Sequence, residues 1–241
     1  MLSASSPRLS VRPRPAPALR LPQRVLFLWA GALFVAGDAV FWLMFAAVLS
    51  TSGLATLDGA VHSFVVDSRS DPATGFLAGV SAVTSPTVMS VAGGLVAVVW
   101  AAWKRELWRP AILMGAMVLS VVLAAVIKLE VSRSRPPSSD FLLGPDDALS
   151  FPSGHTLGAA VFVSVLAYLL VSRSGTRTTA VLAYAGAALL TLLVAYSRLY
   201  LGYHWLTDVV ASMGVALGVF GLAVFVDAVR YGRANPVGPP D

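Results

Sequence analysis

The chain has 241 residues, of which 57% are hydrophobic and 12% charged, with a formal net charge of +5 and no cysteine. Soluble domains carry about 25% charged residues, so this composition excludes an ordinary water-soluble fold; the missing cysteines exclude disulfides and thiolate-bound metal. The pI of about 10.0 does not point to nucleic acid, because the basic residues lie mostly beside apolar runs, where they orient a membrane protein.

Residues 1–24 hold five arginines, five prolines and no acid. That stretch is too polar to form a core and reads as a disordered basic cytoplasmic tail. The apolar run that follows, 25–49, exceeds the roughly 7–15 residues of a secretory h-region and reads as an uncleaved anchor. A membrane-spanning helix needs about 17–25 mainly apolar residues. Six segments qualify: 25–49, 76–103, 111–127, 156–172, 178–196 and 206–226. The expected fold class is all-α, an integral membrane bundle of six transmembrane helices occupying 25–227, with a short cytoplasmic tail at 228–241. The stretch 52–75 is only half apolar and suits a short amphipathic helix lying in the interface. One long polar loop remains, 128–155.

Lysines and arginines outside the spans divide unequally. One side holds Arg8, Arg12, Arg14, Arg20, Arg24, Lys104, Arg105, Arg109, Arg173, Arg177, Arg230 and Arg233; the other holds Arg69, Lys128, Arg133, Arg135 and Arg198. By the positive-inside rule both termini are expected in the cytoplasm. The long loop and the turn "SRLYLGYHW" then share the extracytoplasmic face of the cell membrane.

Three polar stretches meet on that face. In "KLEVSRSRPP", Lys128 and Arg135 are seven apart, nearly two helical turns, so both can project from one face before Pro136 and Pro137 stop the helix. Two stacked cations call for an anion between them, and a guanidinium fork with a mobile ammonium suits phosphate. The same pair also serves as snorkelling cations at a helix end. In "FPSGHT", Pro152 suits a first helical position, and the N–H groups of Ser153, Gly154 and His155 form an anion cradle with the imidazole at its lip. The plainer alternative is a helix start with an incidental histidine.

In "YSRLYLGYHWLTD", His204 and Asp208 are four apart and neighbours on a helix. The carboxylate can fix the imidazole tautomer and leave the second nitrogen free as base or nucleophile, with Arg198 just before it. Tyr200, Tyr203 and Trp205 also fit an aromatic belt. Two histidines and an aspartate suggest a metal triad as well. Lys128, Arg135 and Arg198 would repel a divalent cation and attract phosphate, so the pocket reads as anion-binding without metal or cofactor.

K-x6-RP (Lys128 to Pro136), PSGH (Pro152 to His155) and SR-x5-H-x3-D (Ser197 to Asp208) together resemble the three-part signature of the type 2 phosphatidic acid phosphatase (PAP2) superfamily. The six-span pattern resembles its membrane branch of lipid phosphate and polyprenyl pyrophosphate phosphatases. The resemblance implies His204 as a nucleophile forming phosphohistidine, with Asp208 orienting it. It implies His155 as the acid for the leaving oxygen and then the base for water. Lys128, Arg135, Ser153, Gly154 and Arg198 would bind the phosphate. The expected activity is metal-independent hydrolysis of a lipid phosphate or pyrophosphate such as phosphatidic acid or undecaprenyl pyrophosphate, with a rate bell-shaped in pH. A phosphotransferase of the same superfamily and an anion transporter are the alternatives. The expected partners are the bilayer and a lipid phosphate substrate, not nucleic acid; oligomeric state is left open.

Three features stand outside the motifs. Asp38 falls midway along the first span, where an acid is a functional candidate or a buried hydrogen-bond partner. His62 reads as a surface or belt residue. Gly214 and Gly218, with Gly221 nearby, suit close helix packing, within the monomer or between chains.

Overall fold

The computed structural model describes residues 21–173 and 175–234, so most of the basic tail and the last residues of the chain lie outside the described residues. Eight α-helices make up most of the described residues. They are α1 (Gln23–Ser50), α2 (Leu57–Asp67), α3 (Asp71–Val83), α4 (Pro86–Lys104), α5 (Trp108–Val131), α6 (Gly154–Val171), α7 (Arg177–Tyr200) and α8 (Leu206–Ala234). Six of them, α1 and α4 to α8, are long and apolar enough to cross a membrane. The all-α six-span expectation therefore holds.

The core is built on α6, whose Leu157, Val161, Val165 and Leu169 are buried and pack with Leu113 and Met117 of α5 and Phe220 and Val224 of α8. Outer faces are as apolar as the interior: Leu28, Trp29, Phe34, Val98, Trp103, Val121 and Leu189 are all exposed. Such side chains gain nothing from burial when the surroundings are hydrocarbon, so helix contacts depend on close packing and small residues.

The tightest contact joins α1 to α8 through glycines. A Cβ built on Gly214 would lie 2.8 Å from both Gly37 O and Phe41 N, and one on Gly221 would lie 2.7 Å from Ala30 O, whereas Gly218 faces open space. The small-residue packing is thus within the monomer, and Gly214 and Gly221 carry it. Because the colliding atoms are backbone, neither helix can yield locally. Gly214→Val is expected to destabilise the fold by about 1–3 kcal/mol, read as a lower unfolding midpoint in detergent, while Gly218→Ala should leave the midpoint nearly unchanged.

Two boundaries differ from the sequence reading. The span expected at 76–103 is broken into α3 and α4, because Pro86 disfavours a helical Ser85 and cannot donate to the preceding turn. Ser85 instead caps α4, its hydroxyl accepting from Val88 N at 3.4 Å. The interfacial stretch likewise gives α2 and the start of α3 in place of one helix. Both pack against the end of α7, and α2 also reaches α8.

Among the described residues, the two groups of cations fall at opposite ends of the bundle. At one end, Gln23 Nε2 donates to Ala228 O at 3.1 Å, bringing the start of α1 to the end of α8. Asp227 there accepts from Trp108 Nε1 and Tyr168 OH, each at 3.0 Å, and Arg173 pairs with Glu106. At the other end lie Arg69, Lys128, Arg133, Arg135 and Arg198, covered by α2 and α3. Arg69 fastens this cover by donating to Tyr200 O at 3.0 Å and to Asp140 O at 2.8 Å.

Candidate active site

The site forms where α5, α6, α7 and α8 end together beneath α2. His204 sits in the turn between α7 and α8. That turn needs Gly202 at φ +87°, where a side chain would be strained and would collide with Asp140 O. His204 and Asp208 are 2% and 0% exposed. The two pair as expected, but not as neighbours on one helix, because His204 precedes α8: His204 Nδ1 faces Asp208 Oδ2 at 3.3 Å, and the same oxygen accepts from Trp205 N at 2.9 Å. On its other side, His204 Nε2 lies 3.3 Å from Arg135 Nη1. A carboxylate only accepts and a guanidinium only donates, so the proton belongs on Nδ1 and the lone pair on Nε2. Burial, followed by the charges of Arg198, Arg135 and Lys128, holds the imidazole well below its ordinary pKa of 6.5. His204 is therefore neutral, with the Nε2 lone pair turned toward Arg135.

Arg135 reaches this point differently from the sequence expectation. α5 stops at Val131, and Ser132 adopts a left-handed conformation (φ 48°). The following segment is extended and tied to 148–150: Ser150 N donates to Arg133 O at 2.9 Å and Ser150 Oγ to Ser134 O at 3.0 Å. Lys128 and Arg135 therefore do not share a helical face, because the helix ends at the left-handed Ser132, four residues before Pro136. They converge nonetheless, since Lys128 Nζ donates to Leu149 O while Arg135 Nε donates to Ala148 O at 2.6 Å. Arg135 also donates to Tyr203 O at 2.7 Å and pairs with Asp146 at 2.8 Å. Desolvation by the surrounding protein lowers the pKa of Arg135, partly offset by Asp146 and Asp208.

Arg198, in the last turn of α7, is 4% exposed. It donates to Ser81 Oγ of α3 at 2.5 Å and stacks 4.5 Å from the centroid of Tyr203. Its Nε is buried without a partner among the described residues, a donor available to an anion. Arg135 lies over the same ring at 5.9 Å, so Tyr203 spaces the two guanidinium groups.

α6 begins at Gly154 with Ser153 as its N-cap, Ser153 Oγ accepting from Thr156 N at 3.4 Å. Pro152 precedes the cap and is not the first helical residue. Among the described residues, the first-turn amides of Gly154 and His155 have no backbone acceptor outside the helix, as expected of a helix start. Ser212 Oγ of α8 donates both to Ser153 O at 3.1 Å and to Asp208 O at 2.7 Å, locking the cradle beside the His204–Asp208 pair. His155 is half-buried, and the charged or ionisable groups acting on it include Arg198, His204, Arg135 and Lys128. The three motifs thus meet at one end of the bundle.

Sequence reasoning missed several members. Arg133, read only as an outer-face cation, bridges Asp208 at 2.5 Å and Asp58 at 2.6 Å. Asp58, in the first turn of α2, is 4% exposed. An acid in an amphipathic stretch gives no sign that it turns inward. His62 is not a surface residue, its Nε2 lying 2.9 Å from Asp140 Oδ2. That hydrogen bond is the largest cause holding the Asp140 carboxyl below its usual range. Asp38 is exposed on α1 and lines a groove of about 240 Å³ between α1, α5 and α8.

The likeness to known proteins follows the same arrangement. Phosphatidylglycerophosphatase B of Bacillus subtilis (strain 168) is 29% identical over 190 residues, covering 76% of this chain and 89% of that protein. Decaprenylphosphoryl-5-phosphoribose phosphatase of Mycolicibacterium smegmatis (strain ATCC 700084 / mc(2)155) is 38% identical over 111 residues, 45% of this chain and 54% of that protein. A crystal structure of the transmembrane PAP2 type phosphatidylglycerolphosphate phosphatase from Bacillus subtilis shares the fold, with TM-score 0.68 and 20% identity over 85% of this chain and 99% of that one. That of Aquifex aeolicus LpxE superposes with TM-score 0.51 and 20% identity over 73% and 96%. The family model for the PAP2 superfamily matches residues 109–232. That match starts in α5 and finishes in α8, taking in Lys128, His155, His204 and all that lies between, and the chain belongs to the PAP2 superfamily.

Proposed function

We propose that the protein is an integral membrane phosphatase that hydrolyses a lipid phosphate or polyprenyl pyrophosphate through a phosphohistidine on His204, without a metal. The observation that carries this reading is the neutral His204 with its Nε2 lone pair held next to Arg135 and in the field of Arg198 and Lys128. Nε2 attacks phosphorus, the bond from phosphorus to the lipid oxygen breaks, and His155 gives that oxygen its proton. Water then attacks the phosphohistidine, His155 takes the water proton, and the P–N bond breaks to release phosphate. Lys128, Arg135, Arg198 and the amides of Ser153 and Gly154 hold the transferring oxygens, with phosphate exchanging for Asp146 on Arg135. Phosphoryl transfer needs chiefly positioning and charge stabilisation, which three cations and a helix start supply. A divalent metal would have to enter against those same charges.

Six membrane spans support a substrate whose tail stays in the bilayer. The apolar groove lined by Phe34, Phe41, Leu123 and Ile127 runs along the half of α5 that carries Lys128, which suits a lipid tail. The relatives named as a phosphatidylglycerophosphatase and a decaprenylphosphoryl-5-phosphoribose phosphatase support a phosphate carried on a lipid. The larger group of cations at the opposite end supports an extracytoplasmic site with both termini in the cytoplasm. The motif residues gather at one end and, among the described residues, line no path through the midplane, which disfavours a transporter.

Purified protein is to be tested with phosphatidic acid, phosphatidylglycerol phosphate and polyprenyl pyrophosphate in mixed micelles containing EDTA. Phosphate release from at least one of them is expected at the rate seen without chelator. A rate abolished by EDTA and restored by a divalent cation would remove the metal-free mechanism. Product formation only with an added acceptor would make the protein a phosphotransferase. The pH profile follows from the sign of the His204 shift: attack needs the neutral ring, protonation is disfavoured in the pocket, so the acidic limb of kcat/KM should lie below pH 6.5. A limb above 6.5 would contradict that environment.

A further inference from the structure

Arg133 poses an electrostatic difficulty for the proposed reaction. Its Nη1 lies 2.5 Å from Asp208 Oδ1, and Asp208 is the carboxylate that must steady the positive charge developing on His204. A full ion pair with Arg133 would cancel that carboxylate. The second amino group of Arg133 is, however, held 2.6 Å from Asp58 Oδ2. Asp58 is itself fixed by Thr207, whose N–H donates to Oδ1 at 2.9 Å and whose hydroxyl donates to Oδ2 at 2.7 Å. Arg133 is thereby shared between two carboxylates, and the trio retains one net negative charge toward the imidazole. The planar guanidinium is suited to this bridge, since its two amino groups point in fixed directions.

We propose that Asp58, carried into the site by the interfacial helix α2, is a positioning residue for phosphoryl transfer that works through Arg133 to keep Asp208 effectively charged against His204. This rests on His204 being the nucleophile. Asp58 touches neither His204 nor the anion cradle; it acts by occupying half of Arg133. Two features make the arrangement more than a helix clamp. Asp58 and Asp208 are both buried, so neither charge is screened by water. The bridge also joins the first turns of α2 and α8, so a displacement of α2 in the interface changes the charge His204 faces.

The test compares Asp58→Asn with Thr207→Val in lipid phosphate hydrolysis. Asparagine keeps the shape and can still accept from Thr207, but it removes the charge and leaves Arg133 wholly on Asp208. The expected result is a loss of kcat on the order of 10- to 100-fold, the size found when an outer partner of an oriented group is removed, with KM little changed. The groups facing His204 are Arg198 from α7, Arg135 and Arg133 from 132–153, Lys128 from α5, His155 from α6 and Asp208 from α8. Removing a negative charge behind this set makes protonation of His204 harder still, so the acidic limb of kcat/KM should move to lower pH. Thr207→Val removes hydrogen bonds from the same network without altering charge, and should leave the limb in place.

A Asp58→Asn protein with the wild-type kcat and pH profile would overturn the proposal, as would equal effects of the two substitutions on the pH limb. Should Asp58→Asn fail to fold, Arg133→Lys serves instead. It keeps the cation but cannot bridge both carboxylates, and the proposal requires it to lower kcat by a similar factor. Retention of turnover by His204→Ala would instead bring down the underlying nucleophile assignment, which separates the two failures.

Discussion

His204→Ala is expected to lower phosphate release on the order of 10,000-fold or more, the scale on which losing a nucleophile acts when the rest of a site survives. The imidazole is 2% exposed and both its nitrogens are engaged, Nδ1 with Asp208 and Nε2 with Arg135. Alanine leaves a small buried cavity, which costs stability but does not touch the α1–α8 and α5–α6 packing that holds the bundle. The protein should remain helical and monodisperse in detergent. Acid-stable trapping is the wrong probe for a phosphohistidine, which is labile to acid, so the check is a base-stable labelled enzyme after brief exposure to phosphorus-labelled substrate. Wild type should show it and His204→Ala should not. A mutant that turns over normally would remove His204 as nucleophile.

Asp208→Asn is expected to reduce kcat by about 1,000- to 10,000-fold, with a smaller effect on KM. Asp208 Oδ2 receives both His204 Nδ1 and Trp205 N, and Oδ1 receives Arg133. An asparagine must present its NH2 to one of these donors. If it turns the amide nitrogen toward His204, the proton moves to Nε2 and the lone pair faces away from substrate. If it turns the nitrogen toward Arg133, two donors meet and a half-buried guanidinium loses a partner. Either outcome fails the reaction, the first by tautomer and the second by displacement of Arg133. Steady-state rates together with the chemical shifts of the His204 ring would tell them apart. A near-normal kcat would mean that Asp208 serves the fold alone.

The readable part of the site was the part carried by short spacings. Asp208, in the first turn of α8, with His204 four residues before it in the preceding turn, and Ser153 to His155, at the start of α6, are arrangements among residues close in sequence. Lys128 and Arg135 were also identified, though for a partly mistaken reason. Their convergence comes from the left-handed Ser132 and from the pairing of 133–134 with Ser150, not from a common helical face. Asp58 and Asp146 could not be read in this way. Each depends on a segment folding back over the bundle, and neither has a periodic neighbour to betray which way its side chain turns. His62 was misread for the same reason: only the return of 138–140 over α2 supplies Asp140.

Composition and the placing of apolar runs determined by themselves that this is a six-span helical membrane protein, because hydrocarbon admits only segments that satisfy their own backbone. The order and spacing of the three motifs determined the superfamily. Tertiary structure decided what lies behind the motifs. It broke the second expected span at Pro86, left room for a side chain at Gly218 but not at Gly214 or Gly221, and brought Asp58 to Arg133. Those outcomes depend on which backbone atoms and charges meet across helices distant in sequence, and no local periodicity encodes such meetings.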